Sequence, residues 1–321
     1  MARHTLIPYG RNMTDESISL KALTELKNLR MQACAELQNR TRQPLVYTRS
    51  TALELLSIEK PRTPRMEKRD SVAWAVVPSL QRRCHVRGVK YLAWTGPLET
   101  QVVGRHYECV TPVCAWAHYA AVLPLDELIV LGESMMRRDK RLKRAEIDDF
   151  VRFIAGADRF EGIRRCRLAL RVIRENTDSS METRTRLALM RYGLPAPDVN
   201  YELTVAGTSR SLYLDMAYPT LKIAIEYDGN HHRFSSDQVL RDDKRRDMIE
   251  AMGWRYLKVT FVDLSNERAE EELSQRVATA MEKVLRIPVP LEPRLAIEQV
   301  CDGHRLKRKP IWEHRARLFA N

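Results

Sequence analysis

No stretch of this chain stays apolar over the roughly 20 residues a helix needs to cross a bilayer. The N-terminal MARHTLIPYGRNMTDESI also lacks the apolar core of a signal peptide. A cytoplasmic protein is the expectation. Cysteine is sparse: Cys34, Cys84, Cys109, Cys114, Cys166 and Cys301 are scattered and form no C-x-x-C pair. That excludes a disulfide scaffold. A zinc site would have to combine Cys109 and Cys114 with His106, His118 or Cys84-His85, at spacings too irregular for a structural zinc module. Buried free thiols are expected instead. Negative charge is also in deficit, with 54 Lys and Arg against 42 Asp and Glu, a net charge of +12. Such an excess suits a polyanionic partner, DNA or RNA, although it also serves solubility.

The 321 residues are 44% hydrophobic and 30% charged, the balance of a globular chain with two or more domains. Residues 1–70 read as helical, from about Thr14 to Leu37 and again over Ser50 to Leu56. Those two helices could form a DNA-reading helix-turn-helix or a plain packed subdomain, the second being favoured. The charged, proline-rich stretch at 58–70 reads as a connector. Residues 71–177 read as mixed α+β: short strands near 72–77, 89–94 and 101–103 forming a mostly antiparallel sheet, then helices from Pro112 to Glu175. Trp74, Trp94 and Trp116 are expected in its core.

Residues 178–290 read as an α/β unit ordered helix, three strands, helix, strand, helix. Ser179 and Glu182 have the spacing of a capping box, and Gly193 stands where that first helix should stop. A basic tail over 291–321 carries Arg305, Lys307, Arg308, Lys309, Arg315 and Arg317, and would suit a protein or RNA partner.

The feature that asks for an explanation is SLYLDMAYPTLKIAIEYDGNHH, residues 211–232, an apolar hairpin bearing three carboxylates and two histidines. Alternation puts Lys222, Ala224, Glu226 and Asp228 on one face of the second strand. A turn centred on Pro219-Thr220 would pair Ala217 with Lys222, Asp215 with Ala224 and Tyr213 with Glu226. Asp215 and Glu226 would then lie diagonally on one face, about 7–8 Å apart. Two such carboxylates can share one Mg²⁺, with Mn²⁺ as substitute. Hydrolysing a phosphodiester adds negative charge to an anionic phosphorus, and a divalent cation offsets that charge.

These residues also carry a resemblance. Asp215, Glu226-Tyr227-Asp228-Gly229, His232, the helix with Arg241, Asp242 and Arg245, and Gly253-Trp254-Arg255-Tyr256-Leu257-Lys258-Val259-Thr260 resemble the PD-(D/E)XK-type endonuclease domain. The version is the one related to very-short-patch repair endonucleases. The preceding SSMETRTRLALMRYGLPAPDVN is similar to the helix that opens this domain in many bacterial proteins. Residues 1–177 resemble, more loosely, a region attached to abortive-infection antitoxins.

The resemblance implies an α/β, restriction-endonuclease-like fold at 178–290, a central mixed sheet flanked by helices. It implies a Mg²⁺-dependent DNA endonuclease, double-stranded DNA being favoured, in phage defence or repair. Asp215 and Glu226 match the metal-binding acids. Asp228, a catalytic candidate together with His232, stands where standard members have lysine, which leaves open what orients the water; His232, His231 or Lys258 could take over. Glu182 matches an extra acid on the first helix, or serves the cap alone. Asp242 and Arg245 are expected as a supporting ion pair. The alternatives are an antitoxin-like DNA-binding regulator or a nucleoprotein-complex subunit with an inactive nuclease fold.

Overall fold

The computed structural model describes residues 19–41, 43–62, 72–204, 211–229 and 236–307, the segments 236–242 and 306–307 by backbone alone. His231, His232, residues 63–70 of the connector and residues 308–321 of the basic tail lie outside the described residues, as do the side chains of Arg241 and Asp242. The protein is mixed α/β, with helices and several sheets, and divides between Glu175 and Asn176 into two compact units. Among the described residues no helix is long and apolar enough to cross a membrane.

The N-terminal unit begins with α1 (Leu20–Gln38) and α2 (Arg49–Leu55). Four short strands follow, β1 (Ala73–Val77), β2 (Val89–Ala93), β3 (Thr100–Val103) and β4 (Tyr107–Val110). The unit ends with α3 (Pro112–Tyr119), α4 (Leu125–Met135), α5 (Ile147–Ala155) and α6 (Ile163–Ala169). The strands correct the antiparallel expectation. β3 and β4 pair antiparallel, but β1 and β2 run parallel, Ala73 opposite Val89 and Val77 opposite Ala93. The reason lies in residues 78–88, which hold a 3-10 turn at Leu80–Arg82 and cross over instead of reversing as a tight hairpin would. Tyr47 bridges to Ala75 on one side and Cys109 on the other, joining the two ladders.

All six cysteines are free, and only Cys84 keeps appreciable exposure. Trp94 and Trp116 are buried as expected, whereas Trp74 is half-exposed. His118 of α3 is buried, its Nδ1 2.6 Å from Thr48 Oγ1 and its Nε2 3.5 Å from Cys114 Sγ.

The C-terminal unit follows the expected order. α7 (Ser180–Arg191) leads to β5 (Asp198–Thr204), β6 (Ser211–Tyr218) and β7 (Ile223–Tyr227), then α8 (Ser236–Ala251), β8 (Arg255–Val259) and α9 (Glu267–Leu285). Two short helices, α10 (Ile297–Val300) and α11 (Gly303–Lys307), come last. α7 begins as its sequence dictates, Ser179 Oγ accepting from the Glu182 N–H at 3.1 Å. It ends at Gly193, whose φ of 83° is the left-handed value that residue tolerates best. The sheet order is β5-β6-β7-β8, the first three antiparallel and β8 parallel to β7.

This sheet is covered on both faces. Met216, Tyr218, Ile223, Ile225 and Val259 pack with Leu189 of α7 and with Leu273, Val277 and Met281, a four-residue repeat along one side of α9. Leu214, Ala217 and Ala224 pack with Ile249 of α8 and Trp254. At about 1.5–3 kcal/mol for each fully buried large aliphatic side chain, the first cluster is the main source of the unit's stability. Truncating Ile223 to Ala would cost about 2–5 kcal/mol.

The expected hairpin register is corrected by two residues. Met216 faces Ile225, Ala217 faces Ala224 and Tyr218 faces Ile223. The cause is the turn: Pro219–Leu221 form a 3-10 turn, and Lys222 takes a left-handed conformation at φ 49° before β7 begins. The turn is thus centred one residue later than a Pro219-Thr220 turn, and face parity survives because pairings slip in twos. Continuing the register brings Asp215 opposite Glu226 instead of diagonal to it.

Candidate active site

The alternation of β6 breaks at Asp215. Leu212, Leu214 and Ala217 belong to the α8 side of the sheet, while Met216 and Tyr218 belong to the α9 side. β5 does the same, Val199 lying on the α9 side and Tyr201 and Leu203 on the other. Between them Asn200 sits at φ 49°, and it is the β5 residue whose place in the register falls opposite Asp215. Asn accepts the left-handed region more readily than other non-glycine residues, which makes this an economical place for two strands to change face together.

Regular pairing between β6 and β7 ends at Met216 and Ile225, and side chains take over from there. The N–H of Tyr227 donates to Asp215 Oδ2 at 3.0 Å. The guanidinium of Arg245, from α8, donates from Nη2 to the Tyr213 carbonyl at 2.5 Å. The same guanidinium holds Glu226 at both oxygens, Nε to Oε2 at 3.0 Å and Nη2 to Oε1 at 2.7 Å. Asp215 and Glu226 therefore flank the point where the two strands stop pairing.

Asp215 is partly buried. Burial, followed by the charge of Glu226, pushes its carboxyl up to about 7, against the opposing pull of the Tyr227 N–H and Arg245. Glu182 of α7 is 6% exposed and lies within electrostatic reach of Asp215. Burial first, and the Asp215 charge second, raise its carboxyl well above the usual range. Its Oε2 also accepts from the Asp178 N–H at 2.9 Å, at the start of α7.

Asp228 lies just past β7, its N–H donating to the Val259 carbonyl at 2.7 Å. Its Oδ2 is 2.5 Å from Lys258 Nζ, and Lys258 is the residue of β8 that registers with Glu226. An ammonium thus stands beside Asp228, close to the Glu226 carboxylate's strand.

One neighbour was missed from sequence. Tyr256 is two residues before Lys258 on the same strand, and its hydroxyl is raised by burial and by the charges of Glu226 and Asp215. Alternation along β8 was the signal that could have found it. Arg245 holds Glu226, and the side chain of Asp242, its expected partner, lies outside the described residues. Among the described residues, no three His, Cys, Asp or Glu side chains converge as a ready metal shell.

In composition the site suits a hard divalent cation. Buried carboxylates that repel one another are relieved by a cation, and Mg²⁺ asks only one or two protein carboxylates because it keeps several waters.

The chain is 27% identical over 146 residues to the uncharacterized proteins Rv2248 and MT2308 of Mycobacterium tuberculosis, an alignment covering 46% of this chain and 52% of each relative. The chain thus spans about half the length of the curated relatives it matches. No family model matches it. No solved structure matches it either.

Proposed function

We propose that this chain is a metal-dependent endonuclease of restriction-endonuclease-like build that hydrolyses phosphodiester bonds in DNA, acting in the cytoplasm in phage defence or repair. The observation that carries this reading is that Asp215 and Glu226 lie next to the last β6–β7 pair, Asp215 accepting from the Tyr227 N–H and raised by burial and by the charge of Glu226. The sheet order, the two flanking helix layers and the net charge of +12 agree with it.

In this reading Asp215 and Glu226 hold Mg²⁺, with Mn²⁺ as substitute. The cation supplies Lewis acidity at the phosphate and lowers the pKa of a water. Lys258 replaces the motif lysine from the neighbouring strand, Asp228 holding its ammonium in place. Glu182 sets the charge balance behind Asp215. Arg245 satisfies Glu226 without metal, so loading requires the guanidinium to yield or share that carboxylate.

That last contact favours a second reading, an antitoxin-like DNA-binding regulator that keeps the nuclease fold as a scaffold. Supercoiled plasmid incubated with Mg²⁺ or Mn²⁺ separates the two. Wild type should nick or cut the plasmid, and the Asp215→Asn/Glu226→Gln variant should bind but not cut. Intact plasmid with wild type under both metals, with binding retained in the double variant, would remove the enzyme reading.

A further inference from the structure

From Ser71 to Leu98 the chain contains no Asp or Glu, while Arg82, Arg83, His85, Arg87 and Lys90 fall within nine residues. The structure folds that segment into the crossover between β1 and β2. It forms an open concavity of about 540 Å³ whose lining includes Arg83, His85, Arg87, Lys90, Trp74 and Tyr91, with no carboxylate. The four basic side chains are exposed, and the two aromatic ones are half-buried.

Among the described residues, no ion pair ties Arg83, Arg87 or Lys90 to an acid. Several other cations of the unit are paired. Arg30 and Lys60 are both on Glu54, Arg137 is on Glu59, Arg141 is on Asp139 and Arg152 is on Asp149. Lys90 instead lies 5.4 Å from the Trp74 ring centroid, with Arg49 4.5 Å from it. Gly88, at φ 91°, provides the reversal between Arg87 and Val89 that brings the basic loop back onto β2.

Cations clustered without counter-charges repel one another, and such an arrangement loses energy unless an anion joins it. Guanidinium groups match phosphate oxygens in a bidentate fork, and an adjacent aromatic surface suits sugars and bases. We infer that this crossover is a nucleic-acid docking site, binding backbone phosphates of DNA through Arg83, Arg87 and Lys90. It belongs to the N-terminal unit, and the carboxylate pair to the C-terminal one. Nucleic acid is chosen over another polyanion because of the nuclease reading, but the test reads binding and not cleavage, so the two can fail independently.

Binding of labelled single-stranded and duplex oligonucleotides is measured by anisotropy in EDTA, across a salt series, with the full chain. The Arg83→Ala/Arg87→Ala/Lys90→Ala variant should bind at least one of the two forms about tenfold more weakly. Its log–log salt slope should fall by roughly 2–3, at about 0.7–0.9 for each phosphate no longer neutralised. The Arg83→Lys/Arg87→Lys variant should keep the slope, and an Arg159→Ala/Arg164→Ala/Arg167→Ala variant, changing exposed arginines elsewhere in the unit, should bind as wild type. Unchanged affinity and slope in the first variant overturns the proposal. So does an equal loss in the third, or poly-glutamate competing as well as DNA.

Discussion

Arg245 holds both carboxylate oxygens of Glu226, at 3.0 and 2.7 Å, and spends a further donor on the Tyr213 carbonyl. It closes the gap where β6 and β7 stop pairing and occupies the acid a metal would need. Arg245→Met should therefore move two quantities in opposite directions. Without metal, the C-terminal unit should lose about 1–3 kcal/mol, since a buried carboxylate forfeits its charged partner. The affinity for Mn²⁺ should rise, read as a larger increase in Tm on adding Mn²⁺ than wild type shows. If the increase in Tm shrinks, Arg245 supports the metal site instead of blocking it.

The two units should respond to acid with opposite signs. Asp215 is raised from the ordinary carboxylate range to about 7, so the folded state binds more protons than the unfolded one across that interval. Stability of the C-terminal unit is lost as pH rises through about 7 and gained as pH falls toward 5. His118 goes the other way: burial first, then the Arg49 charge, lowers it to about 3, so its folded state stays neutral while the unfolded chain takes up protons below 6.5. Stability of the N-terminal unit is lost as pH falls below that value. Calorimetry from pH 7 to 5 should show two transitions diverging by a few degrees, and Asp215→Asn should flatten one and His118→Gln the other. Parallel shifts in wild type would contradict these assignments.

Lys258 offers a cleaner test of the site than the acids do. Its side chain is 54% exposed, so its ion pair with Asp228 contributes little to stability. Lys258→Met should leave Tm within about 1 °C of wild type. Metal-dependent plasmid cleavage should nevertheless fall by about 10²-fold or more, the usual size of a lost proton-handling or orienting group. Cleavage at the wild-type rate would return water activation to His231 or His232.

The turn at Lys222 can be examined without touching the site. A left-handed residue with a side chain is strained by about 1 kcal/mol, and glycine is not. Lys222→Gly should be neutral or stabilising by up to about 1 kcal/mol, and Lys222→Val should destabilise by about 1–2 kcal/mol in urea titrations. The reverse order would mean that Lys222 contributes through its side chain instead of its backbone.

The element order of residues 178–290 was legible because each boundary is local: Ser179 at a helix start, Gly193 and Gly253 at left-handed stops, alternation along β7 and β8. The side of the sheet each residue of β7 and β8 occupies followed from parity alone. The register did not, since a 3-10 turn and one left-handed lysine move it by two without altering any apolar pattern. The face change at Asp215 was hidden for a related reason, although Asn200 is a residue type that tolerates left-handed backbone. Arg245 could be picked out in the sequence, but its partner could not, because that depends on how α8 docks on the sheet. In the N-terminal unit, the parallel pairing of β1 and β2 was missed because a crossover and a wide hairpin connection look alike in composition.

Asp215 and Glu226 come from two halves of a single hairpin joined by one tight turn. Closing that hairpin requires little loop entropy, so the two acids can meet early in folding, on the timescale of a local encounter. Lys258 arrives with β8, after α8 has intervened, and depends on a slower parallel pairing. A chain emerging from the ribosome would therefore assemble its acidic pair first and its ammonium later, leaving the half-built domain with a repelling pair of acids that the docking of Arg245 and β8 then resolves.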